Sequence, residues 1–146
     1  MRGLAYFLGV AAGLGLTVQV GMNTQLRKVL NSAYSAALIS FLVGTLALVA
    51  LLLVTRTAMP SRAALAGVPA WAWFGGLFGA FYVAISTVVA AQLGATSLLV
   101  LGLAGQLATA LVVDHYGWLG LPEHPITLIR LMGVALVCAG VWLITR

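Results

Sequence analysis

The side chains that could do chemistry in this sequence are mostly neutral amides and hydroxyls set inside apolar runs. Residues 15–35 read GLTVQVGMNTQLRKVLNSAYS and thread Gln19, Asn23 and Gln25 through such a run before Arg27 and Lys28. Tyr82 and Ser86 follow in GLFGAFYVAIS, and Gln106 in LAGQLAT. Carboxamides donate and accept hydrogen bonds but cannot trade a proton, so the chemistry on offer is reversible recognition of a polar group. The ionisable residues are peripheral. Asp114, His115, Glu123 and His124 share VVDHYGWLGLPEHPI, whose DH and EH pairs lack the ligand spacing of a zinc site. No nucleophile–base pair, P-loop, dinucleotide-binding glycine motif or zincin helix is present. The sequence predicts neither an enzyme nor a need for a cofactor or metal.

The elements that must position these groups follow from composition. Of 146 residues, 63% are hydrophobic and 6% charged, with a mean hydropathy of +1.15. A water-facing surface needs about a quarter of its residues charged, so lipid is the solvent this composition suits. Crossing about 30 Å of hydrocarbon takes about 20 apolar residues, and five such runs emerge at 3–22, 34–54, 70–91, 96–113 and 126–144. Pro60, Pro69, Pro122 and Pro125 all fall between runs, where a missing N–H harms no helix. The runs do not alternate polar and apolar residues as barrel strands do. The expected fold is all-α: an integral membrane protein of five transmembrane helices, forming one domain over residues 1–146. Short connections set neighbouring helices antiparallel. The N-terminal run lacks a small-x-small cleavage site and is read as the first span rather than a signal peptide.

In lipid, small residues four apart let helices approach closely. Gly9, Gly13, Thr17 and Gly21 form such a row on the first helix, with Gln19 and Asn23 on a separate face about 120° around the axis. The second helix offers Ala36, Ser40, Gly44 and Ala47. On the third, Gly75, Gly79, Tyr82 and Ser86 fall within about 60°, and on the fourth Gly102, Gly105, Gln106 and Thr109 within about 100°. A side-chain amide facing lipid would go unsatisfied. Two roles therefore fit Gln19 and Asn23: hydrogen bonding between helices, worth about 0.6–2 kcal/mol each, or the lining of a polar cavity. Ser86 has the further option of bonding back to its own helix. Gln25, beside Arg27, reads as interfacial, and Gln106 as a cavity or dimer contact.

Trp71, Trp73, Trp118 and Trp142 stand near run ends, where indole rings settle at the membrane–water boundary. Cys138, the single cysteine, leaves no internal disulfide and reads as a small packing residue. Asp114 at a helix C-terminus opposes the macrodipole unless a cation compensates, and Arg130 is the expected partner. The net charge of +5 comes from basic residues at run ends, the position of membrane anchors rather than of a nucleic-acid surface. With five crossings, Arg2, Arg56, Arg62 and Arg130 share one side and Arg27, Lys28 and Arg146 the other. That near-balance favours insertion in both orientations.

Gln19, Asn23 and Leu30, then SAYSAALISFLVGT, PAWAWFGGLFGAFYV, GQLATALVVDHYGW and RLMGVALVCAGVWLI, resemble the five-helix YdcZ-type proteins of the drug/metabolite transporter superfamily. The resemblance extends over essentially the whole chain. It implies a multi-pass protein of the bacterial inner membrane with a transporter fold, half of a ten-helix inverted repeat, so that one chain needs an antiparallel partner. One departure matters. The first helix lacks the carboxylate on which the distantly similar four-helix multidrug exporters depend, so proton-coupled export of a lipophilic cation is not carried over. The expected function is transport of a small polar or zwitterionic molecule by an antiparallel homodimer in the lipid bilayer. Its pathway runs between protomers and is lined by Gln19, Asn23, Tyr82, Ser86 and Gln106. A similar chain of opposite orientation is the alternative partner, and a non-transporting membrane subunit the alternative function.

Overall fold

The computed structural model describes residues 2–146, and the regular elements among them are all helical. α1 spans Arg2–Leu30, α2 Ala33–Val54, α3 Arg62–Ala66, α4 Gly75–Tyr116 and α5 Leu128–Ile144, with 3₁₀ turns at Ala70–Phe74 and Trp118–Gly120. Three stretches are long and apolar enough to cross a membrane, Gly3–Leu30, Ala33–Val54 and Ala70–Tyr116, and α5 is a shorter apolar helix. The chain divides into two compact units, Met1–Ala91 and Gln92–Arg146.

In the first unit α1 continues past the expected end of its apolar run. No proline or glycine separates Met22 from Asn31, and Arg27 and Lys28 in the last turn complement the negative end of the helix dipole. At 1.5 Å per residue α1 is about 43 Å long, more than the hydrocarbon thickness of about 30 Å. Asn31 then takes a left-handed backbone, φ 49°, which asparagine tolerates at a helix end. Ser32 follows as N-cap, its Oγ accepting from the Ser35 amide at 3.1 Å. Two residues thus turn the chain into α2, and α1 and α2 pack together.

The interior of this unit holds Val20 and Asn23 of α1, Ala36 and Ala37 of α2, and Val83, Ser86 and Thr87 of α4. Phe41 of α2 lies against Gly79 of α4, where an added Cβ would come within 3.2 Å of the ring. A side chain at that position would make the Phe41 ring give by a few tenths of an ångström. The row Gly9, Gly13 and Gly21 has a different fate: nothing lies within 4 Å of where a Cβ would stand, and Thr17 beside it is exposed. The chain's own helices leave that expected seam open. α2 brings the small interior residues, Ala36 and Ala37, so α1 can place the larger Val20 and Asn23 inside.

α4 is helical on both sides of Gly94, whose φ 81° and ψ 162° form a backbone geometry essentially confined to glycine. This break falls in the gap between the expected third and fourth runs, and the stretches 75–93 and 95–116 are each about 30 Å long. α4 starts at Gly75 rather than Ala70 because Pro69 opens the 3₁₀ turn over Ala70–Phe74. In the second unit Leu98 and Val141 are buried. Gly117, Leu119 and Gly120 all take positive φ as the chain leaves α4, and Thr127 caps α5 by accepting from the Arg130 amide at 3.3 Å. Cys138, expected as a packing residue, is exposed on α5.

Candidate functional site

The first unit carries neutral polar groups at two kinds of position. Gln19 is exposed and borders a groove of about 200 Å³ with Ser40, Phe41, Gly44, Thr45 and Leu48. Half of the expected small-residue face of α2, Ser40 and Gly44, therefore shares a groove with Gln19. Asn23, one turn further along α1, is instead buried at 3% exposure. The groove beside Gln19 includes neither Asn23, Tyr82 nor Ser86.

On α4, Tyr82 is half-buried, while Ser86 and Thr87 are buried at 2% and 0% exposure. The Ser86 hydroxyl donates to the Val83 carbonyl at 2.9 Å and the Thr87 hydroxyl to the Ala84 carbonyl at 2.8 Å. Each donor is spent on its own helix, and what remains is oxygen lone pairs that can accept. Among the described residues no sealed side-chain nitrogen or oxygen lacks a partner. Thr87 was not among the residues expected from sequence. The signal lies in the spacing Val83, Ser86, Thr87, the i, i+3, i+4 pattern of one helix face, which turns the interior stripe one residue past the Tyr82–Ser86 line.

The second unit places Gln106 differently. It is exposed and lines a groove of about 460 Å³ with Gly105, Thr109, Ala110, Val113, Asp114, Leu119 and Leu121. Thr109 donates back to the Gly105 carbonyl at 2.9 Å. At the end of the groove Asp114 Oδ2 receives Arg130 Nη2 at 2.5 Å, both side chains about a third exposed or less, at 27% and 34%. The pair expected from the helix-dipole argument is formed. Arg130 Nη1 also donates to the His124 carbonyl at 2.7 Å, and the His124 amide donates to the Asp114 carbonyl at 2.7 Å. The Ile126 amide donates to His115 Nδ1 at 3.3 Å, and His124 Nδ1 lies 3.1 Å from the Pro122 carbonyl. Charged and imidazole groups here are engaged in holding the loop from α4 to α5.

Residues 4–143 match the family described as "Putative inner membrane exporter, YdcZ". The chain is similar to the "Inner membrane protein YdcZ" of Escherichia coli (strain K12), 27% identical over 137 residues that make up 94% of this chain and 91% of that protein. No solved structure matches the chain.

Proposed function

The chain belongs to the YdcZ family, and from that premise we propose that it transports a small polar or zwitterionic molecule across the bacterial inner membrane, with export as the direction. The observation that most supports this reading is the character of the interior. The buried polar side chains among the described residues are Asn23, Ser86 and Thr87, none of them ionisable. Neutral donors and acceptors in a low-dielectric setting recognise a polar solute without the strong binding of a fixed charge, which lets the solute leave again.

The working unit is an antiparallel homodimer of five-span chains, a drug/metabolite-transporter arrangement in which the two copies stand as inverted halves around a central pathway. Two features favour it. Lysine and arginine divide almost evenly between the run ends of the two sides, and Gln19 and Gln106 are exposed in the single chain. An amide in contact with lipid is costly, and a second copy would cover both. In this proposal Gln19, Asn23, Tyr82, Ser86 and Gln106 line the pathway, and Asn23 and Ser86, buried in the single chain, become accessible as the protomers open.

A thermal-stability screen of the purified protein against polar metabolites tests the reading. A ligand that raises Tm should lose its effect in Asn23→Leu and Gln19→Leu while the unliganded Tm stays put. Loss of folding in both variants would assign these amides to helix–helix contacts instead. Absence of any ligand, with a different membrane protein co-purifying, would favour an assembly subunit. Reporters fused at the C-terminus should give signal from both sides of the membrane. Signal from one side only would refute the antiparallel homodimer.

A further inference from the structure

Residues 56–74, RTAMPSRAALAGVPAWAWF, contain the short helix α3 and the 3₁₀ turn Ala70–Phe74 although every one of them is exposed. Ser61 caps α3, its Oγ accepting from the Ala64 amide at 3.1 Å. Backbone bonds from Leu65 to the Ser61 carbonyl, from Gly67 to Ala63 and from Ala72 to Pro69 hold the α3 and 3₁₀ turns. Helices this short do not persist alone in water, and neither buries a residue within the chain. The exposed side chains include Met59, Leu65, Trp71, Trp73 and Phe74, an aromatic-rich set that water would not favour.

The charge pattern names the missing surroundings. Arg56 and Arg62 flank the segment's start, and residues 1–91 contain no aspartate or glutamate. Among the described residues the ion pair is Arg130 with Asp114, so neither of these guanidinium groups is paired. We propose that residues 56–74 lie in the membrane–water interface as an anchor, with Trp71, Trp73 and Phe74 at headgroup depth and Arg56 and Arg62 holding the phosphates of anionic phospholipids. Guanidinium suits phosphate bidentately, tryptophan prefers the interface, and partition of the short turns into that layer supplies the contacts the chain itself lacks. The inference rests on the chain residing in a bilayer and is independent of what it transports.

The test uses the full chain carrying Trp118→Phe and Trp142→Phe, so that emission comes from Trp71 and Trp73 alone. The protein is reconstituted in phosphatidylcholine vesicles with and without phosphatidylglycerol, and quenching is measured with brominated forms of each lipid and with aqueous iodide. Brominated phosphatidylglycerol should quench more strongly than brominated phosphatidylcholine. Arg56→Gln with Arg62→Gln should equalise them, with about a fivefold loss of anionic-lipid preference for each arginine removed. Equal quenching by the two lipids in the protein that retains both arginines, a preference that survives loss of both, or quenching by iodide with neither lipid effective would each overturn the proposal. Failure of the protein to float with the vesicles would overturn the bilayer reading itself, and is distinguished by that step.

Discussion

Residues 1–91 contain Arg2, Arg27, Lys28, Arg56 and Arg62 with no acid, whereas residues 92–146 set Arg130 and Arg146 against Asp114 and Glu123. The whole net charge of +5 therefore belongs to the first unit. Yet that unit's interior is uncharged: Asn23, Ser86 and Thr87 are its buried polar residues, and both hydroxyls bond to carbonyls three residues back. In the second unit the polar bonds reach farther, from Arg130 to Asp114 and to His124, and they tie a loop between two helices. The contrast has a physical origin. Taking an ion out of water costs several kcal/mol, so ionic links stand where side chains remain partly wet. A hydroxyl can satisfy itself on its own helix and can be buried anywhere along it.

The most severe way to break the contrast is to charge the uncharged interior. Thr87→Lys puts an ammonium at a site of 0% exposure in a unit without a carboxylate, and should cost more than about 4 kcal/mol. No folded peak is expected in size-exclusion chromatography, while Thr87→Val should lose about 1 kcal/mol. A well-folded Thr87→Lys protein would mean that this interior is open to water.

Next in size is the ionic link of the second unit. Asp114→Asn and Arg130→Gln should each lower stability by about 1–2 kcal/mol, moderated by the partial exposure of both side chains. The double variant should lose less than the sum, and amide exchange across 117–127 should quicken. A coupling of zero in that cycle would leave the loop held by its backbone bonds alone.

A neutral contact should respond more mildly. Gly79→Ala forces the Phe41 ring to yield, because the new methyl would stand 3.2 Å from it. The expected loss is about 1 kcal/mol, relieved when Phe41→Leu is combined with it. Smallest of all, Cys138→Ala at an exposed position should change Tm by an amount equivalent to less than about 0.5 kcal/mol.

Several features were legible before any coordinates because they depend on neighbours in sequence. The helix break at Gly94 sits where the expected third and fourth apolar runs part, whereas the first helix runs on to Leu30, past the Met22 at which its apolar run ends. Asp114 at the end of α4 called for a cation, and Arg130 answers it. Other features were not legible. The glycine row on α1 promised a packing seam that the chain leaves open, because small residues permit close approach without commanding it. Gln19 and Asn23 share a face by periodicity, yet one is exposed and the other buried.

Composition and run length by themselves determined that this chain is helical and matched to lipid, since apolar side chains and the hydrogen-bonding demands of the backbone leave few other structures in hydrocarbon. Residue order also determined where the helices turn, through caps, prolines and the backbone freedom of Gly94. Only the tertiary structure decided how far each helix is rotated about its own axis. A step of one residue is about 100° on a helix, so contacts such as Phe41 on Gly79 select the rotation that buries Thr87 and leaves Tyr82 half in view. Periodicity names a stripe of candidates, and packing chooses which of them lies inside.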